Sequence, residues 1–170
     1  MSVDLSHSDW LVLGVLGSGA THGFAVSTSL AKDGDLGRIW AVRRPMVYQS
    51  VSKLVALGLV AELASERSAT GPSRRPLELT AYGREVLGAW LVAPVEHLRD
   101  MRPLLLVKLV LLERLGRPSR PLVVAQRTRL ATLLEASDEA EELDDVDRLV
   151  ASWRLEVGHA VLAFLDGQTT

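Results

Sequence analysis

Helical periodicity runs through this 170-residue chain and is broken in one place. Between Leu59 and Leu79 the three- and four-residue spacing of apolar side chains gives way to alternation. It shows in Leu59-Val-Ala-Glu-Leu-Ala-Ser65 and again in Pro76-Leu-Glu-Leu79, with Ser68 to Ser73 as turn material between them. Alternation puts successive side chains on opposite faces, so this stretch is predicted to be a two-stranded hairpin with a long basic tip. Three helical segments precede it and only helical pattern follows. That order predicts a mostly α protein with a small β-hairpin wing. A winged helix-turn-helix head over residues 1–91 is followed by a helical segment over residues 92–170.

The helix boundaries follow from capping and breaking residues. Ser8 and Asp9 are predicted to cap a first helix, Trp10 to Leu16, which Gly17-Ser18-Gly19 stops. A second runs from Gly23 to Lys32, with Phe24, Val26 or Ser27, and Leu30 on one face, and is closed by Asp33-Gly34-Asp35. Arg43-Arg44-Pro45 opens a third, because proline is well tolerated in a first turn. Its buried stripe is Val47, Val51, Leu54, Val55 and Gly58, which leaves Arg44, Gln49, Ser50 and Lys53 opposite. Thr80 caps a fourth helix, Ala81 to Leu91, which ends before Pro94.

In the second half, Pro103 starts a helix from Leu104 to Leu115 that is apolar on nearly all sides, more than a monomer of this size is expected to cover. Another helix begins near Pro121. A last one runs from about Asp144 to Leu165, with Leu149, Trp153, Val157, Ala160 or Val161, and Phe164 on one side. Homodimerisation is therefore expected through Leu104, Leu105, Val107, Leu109, Leu112, Trp153, Val157 and Phe164.

Several function classes are set aside by composition. Without cysteine there is no disulfide, thiolate metal site or thiol nucleophile. The histidines at 7, 22, 97 and 159 share no metal-ligand spacing, and no catalytic constellation is visible, so neither an enzyme nor a metal or cofactor is expected. The glycines from Gly14 to Gly23 neither follow a strand nor precede Lys-Ser/Thr, and are read as a helix stop and tight turn rather than a phosphate loop. The N-terminus lacks a secretory signal, and the apolar run Leu104 to Leu112 is interrupted by Lys108 and too short to span a bilayer. A cytoplasmic location is the expectation.

The net charge of -2 conceals an uneven distribution. From Arg38 to Arg75 there are seven basic residues against two acidic ones, Glu62 and Glu66. Residues 89–170 carry ten basic and thirteen acidic groups, eight of the acids lying between Glu135 and Asp147. The basic centre coincides with the third helix and the hairpin, where a nucleic acid would be gripped.

Four stretches, in this order, resemble the PadR-type transcriptional regulators. Gly19-Ala-Thr-His-Gly-Phe24 is similar to that family's Gly-Pro-x-His-Gly-Tyr, and Trp40-Ala-Val-Arg-Arg-Pro-Met-Val-Tyr48 to its Trp-x-Val-Ser-x-Gly-Thr-Leu-Tyr. Gly71-Pro-Ser-Arg-Arg-Pro-Leu-Glu-Leu-Thr80 is similar to Gly-Arg-Pro-Arg-Lys-Tyr-Tyr-x-Leu-Thr, and Leu98-Arg99-Asp100 with Leu106 to Leu109 to the family's C-terminal region. The chain departs from the pattern at Arg43-Arg44-Pro45-Met46, where two long cations replace small polar residues. It departs again at Pro72, Pro76 and Leu77 in the wing.

The resemblance implies a DNA-binding transcriptional regulator, a repressor in the main expectation, that binds a palindromic double-stranded operator as a homodimer. The DNA-binding candidates are Arg43, Arg44, Tyr48, Gln49, Ser50, Lys53, Arg67, Arg74, Arg75 and His22. Of these, Tyr48 has packing under the third helix as an equal alternative, Arg67 plain surface, and His22 is read by preference as a local cap of the second helix. Release by a small-molecule effector is allowed by the resemblance, in a pocket between head and C-terminal helices or at the two-fold axis. Two alternatives stay open: a winged-helix protein-interaction module without DNA binding, and a small-molecule binding protein built on the helical half.

Overall fold

The computed structural model describes residues 3–64, 75–135 and 144–168. Within them the elements run α1 (His7–Gly17), α2 (Gly23–Ser29), α3 (Arg44–Ala56), β1 (Val60–Glu62), β2 (Leu77–Leu79), α4 (Ala81–Val92), α5 (Leu98–Arg114), α6 (Arg120–Glu135) and α7 (Asp145–Asp166). They form two compact units. The described parts of Met1–Leu91 join Val110–Arg117 in one, and Val92–Leu109 join the described parts of Pro118–Thr170 in the other.

In the first unit, α1 begins earlier than Ser8 because Ser6 is the cap. Its Oγ accepts from Asp9 N while Asp9 Oδ2 accepts from Ser6 N at 2.9 Å, a reciprocal capping box that uses Asp9 as its third helical residue. Leu11, Val12, Leu13, Val15 and Leu16 are buried all round the helix. Gly19, at φ 114°, takes the left-handed turn that follows. Helix α2 stops at Ser29 rather than Lys32. The hydroxyls of Ser27 and Thr28 bond back to Phe24 O, and Asp35 Oδ1 accepts from Ser29 Oγ and Leu36 N, which draws the chain into a turn.

The hairpin pairs β1 antiparallel to β2 with Val60 opposite Leu79, Ala61 opposite Glu78 and Glu62 opposite Leu77. Pro76 has no N–H to give to the ladder, and β2 starts immediately after it. Thr80 caps α4 as expected, its Oγ1 accepting from Gly83 N at 2.9 Å.

In the second unit, α5 does not begin at Pro103. It starts at Leu98, with Asp100 in the first turn where a negative charge complements the helix end, and carries Pro103 inside. Nor is its apolar girth left for a partner: Leu104, Leu105, Val107 and Leu112 are buried within a single chain and Leu109 is half-buried. The assignment of Leu104, Leu105, Val107 and Leu112 to dimerisation is corrected accordingly, since a side chain already covered offers no surface, whereas half-buried Leu109 is not contradicted. Gln126 of α6 is fully buried and clamps the backbone of Val95, Oε1 accepting from its N at 2.7 Å and Nε2 donating to its O at 3.1 Å.

Asp144 caps α7 through Val146 N and Asp147 N. Gly158 of α7 packs against Leu134 of α6. Leu149 and Trp153 of α7 are 73% and 68% exposed where they border a cleft shared with α6, and Val146 and Phe164 are exposed as well. No helix among the described residues is long and apolar enough to cross a membrane.

Candidate nucleic-acid interface

Of the basic centre, Arg43 and Arg44 stand at the start of α3, Lys53 in its last turn and Arg75 beside the hairpin. Val47, Ser50, Val51 and Leu54 are the buried face of α3. That repeat leaves Arg44, Met46, Tyr48, Gln49, Ser52 and Lys53 exposed, beside Arg43 at the N-cap. Pro45 occupies the first turn, no side chain caps it, and no acid lies within it, so the positive end of the helix dipole is presented uncompensated.

Aromatic rings organise this end. The Arg44 guanidinium lies 5.7 Å from the ring centroid of Phe24 and 5.7 Å from that of Tyr48. A planar cation over two ring faces keeps fewer rotamers than one in water, so Arg44 is partly pre-oriented. Tyr48 in turn lies against Gly23 at the start of α2, where an added methyl group would stand 3.0 Å from its Cε1. Its ring therefore has a packing role, while the residue stays 42% exposed. Phe24, Thr28, Lys32, Arg43 and Arg44 border a shallow groove of about 450 Å³ alongside the helix start.

Two expected members of the surface are bonded to Asp9 of α1. Ser50 is buried, and its Oγ donates to Asp9 Oδ1 at 2.6 Å. It belongs to the α3 core stripe and is corrected out of the DNA-facing set. Lys53 is exposed along its side chain, but its Nζ donates to Asp9 Oδ2 at 2.8 Å. Burial pushes the Asp9 carboxyl up, yet hydrogen bonds from Lys53, Ser50 and Ser6 outweigh it and hold it below the usual carboxylate range.

His22 does not cap α2 with its side chain. Its carbonyl accepts from Val26 N at 3.2 Å, whereas its ring makes no cap bond and Nδ1 is buried without a hydrogen-bond partner. Arg75 pairs across the hairpin with Glu62 at 2.9 Å, with the arginine side chain still 72% exposed. Arg67 and Arg74 lie outside the described residues. Asp9 and Ser52 were not anticipated: Ser52 follows Gln49 on the same exposed side, and Asp9 reaches its partners 41 and 44 residues away, which no local motif signals. Among the described residues, no group of three or more His, Asp or Glu side chains is placed to hold a metal.

Residues 12–89 match the model of the Transcriptional regulator PadR-like family. Among solved structures, Bacillus subtilis PadR in complex with operator DNA is similar at 17% identity and a TM-score of 0.50, over 96% of this chain and 98% of that one. The protein smu.1604c from Streptococcus mutans UA159 is similar at 15% identity and a TM-score of 0.46, over 97% and 99%. The first of these likenesses is one of fold. No curated protein sequence matches the chain.

Proposed function

We propose that this chain, whose residues 12–89 match the model of the PadR-like family of transcriptional regulators, is a DNA-binding regulator that reads its operator with the N-terminal half of α3. The observation that carries this reading is the Arg43–Arg44 start of α3. Two cations stand at an uncapped, acid-free helix end, one of them held between Phe24 and Tyr48. A helix enters the major groove with its N-terminal residues nearest the base edges, and an arginine there is shaped to bond guanine O6 and N7 together. Gln49 and Ser52 continue the exposed face one and two turns on, and Arg75 at the wing supplies a phosphate contact that holds register.

The finer reading is a homodimeric repressor on a palindromic site. The outward stripe of α7, from Val146 through Leu149 and Trp153 to Phe164, is an apolar surface that a second copy would cover. The same unit holds a cleft of about 870 Å³ lined by Leu130, Leu133, Leu134, Trp153, Val157 and Val161, with Arg99, Arg102 and Arg154 at its edge. An effector entering there would act by favouring one spacing of the two heads over the other.

Selection of bound duplexes from a random library tests the proposal and supplies the operator together. Recovery of a palindrome with guanine in each half-site is the expected result. Absence of any enriched sequence, with no salt-dependent binding by anisotropy, sinks it in favour of an interaction module.

A further inference from the structure

Lys53 and Asp9 differ in freedom. The Asp9 side chain is 4% exposed and its oxygens are fixed by two groups besides the lysine, Ser50 Oγ on Oδ1 and Ser6 N on Oδ2. The Lys53 side chain is 44% exposed on a flexible stem, one turn beyond Gln49 on the helix that carries Arg44. Loss of Lys53 would leave the carboxylate two hydrogen bonds, so it is the exchangeable partner and the others are structural.

We infer that Asp9 is a built-in anion that holds Lys53 in the place a DNA phosphate would otherwise take, so that one cation of the recognition helix is withheld from the backbone and sequence-independent grip is weakened. This rests on the DNA-binding reading above. Its physical basis is competition at short range. The two oxyanions offer the ammonium the same charge-assisted hydrogen bond, but Asp9 is already in place at 2.8 Å, so a phosphate gains Lys53 only by breaking that bond. Asp9 is thus a positioning residue acting through Lys53, and it biases the interface toward the contacts made by Arg43, Arg44 and Gln49.

The salt dependence of binding to a random-sequence duplex separates this role from simple support of the fold. The set is the full chain, Asp9→Asn, Lys53→Met and the double variant. Each additional phosphate neutralised steepens the log Kd against log salt slope by about 0.9. Asp9→Asn is expected to steepen it by about one unit, Lys53→Met to leave it unchanged, and the double variant to return to the parent slope. A Lys53→Met slope shallower by about one unit, or an Asp9→Asn slope equal to the parent, overturns the inference. The Lys53→Met arm decides alone where Asp9→Asn does not fold. If none of the four proteins binds duplex at low salt, the DNA-binding reading fails and takes this one with it, whereas a flat Asp9→Asn result on a parent that binds defeats only the inference.

Discussion

The backbone of Gly14 in α1 lies against the Leu111 side chain of α5, so close that a methyl group at position 14 would clash with Leu111 Cδ1. Gly14 is mid-helix, where glycine costs up to about 1 kcal/mol of helix propensity relative to alanine. The close approach explains what offsets that cost: Leu111 is fully buried, and Val110–Arg117 belong to the same compact unit as α1.

Gly14→Val should therefore destabilise the first unit by about 1–3 kcal/mol through overpacking. Urea melts followed by tryptophan fluorescence are the measurement. Trp10 and Trp90 stack with centroids 5.0 Å apart and planes 4° from parallel, so their emission reports this unit. A melt that matches the parent would refute the packing argument.

At the proposed interface, Arg44→Ala is expected to weaken operator binding by about 1–3 kcal/mol and relax one base position. Arg44→Lys should recover only part of this, because an ammonium keeps the charge and loses the two-pronged geometry and the ring stacking. Anisotropy against operators varied at each half-site position tests both. Equal losses on every sequence would reassign Arg44 to the phosphate backbone.

If the α7 stripe pairs with a second copy, the chain should be a dimer at micromolar concentration. Leu149→Glu with Trp153→Glu should then give a monomer, because both side chains are largely exposed and charge there opposes apolar pairing; both also border the cleft of this unit, so retained helicity by circular dichroism accompanies the measurement. Light scattering decides between them, and a parent that is already monomeric would discard the pairing.

Lys108 gives the second unit a pH dependence. It is buried, with Nζ donating to Ala93 O at 2.7 Å; burial lowers its pKa to about 8, with Glu96 opposing the shift. An unfolded lysine titrates near 10.4. Between about pH 8 and 10.4 the unfolded chain binds the additional proton, so stability rises with pH across that window, by at most about 3 kcal/mol. The penalty is present in full below pH 8. Chemical denaturation of the parent and Lys108→Met at pH 7.5 and 10 should show the difference between them changing with pH. A constant difference would mean that the lysine is not held in an apolar site.

Much of this was legible along the chain because it depends on near neighbours. Alternation at Leu59 and Pro76, proline in the first turn of α3, Thr80 ahead of α4 and Asp144 ahead of α7 act within about one turn or one strand, and each marks its element within a few residues. The uneven charge likewise singles out the segments of α3 and the hairpin along the sequence. What local pattern could not decide was which side of a helix another element would cover. Leu104 to Leu112 read as surplus apolar surface, yet one chain buries most of it, and the exposed stripe is on α7. Spacing alone puts Ser50 and Lys53 on one outward face. They are drawn toward Asp9, more than forty residues earlier, by the packing of α1 on α3. Periodicity is a property of a segment, but burial and ion pairing belong to pairs of segments, so they were decided only when the tertiary structure brought those segments together.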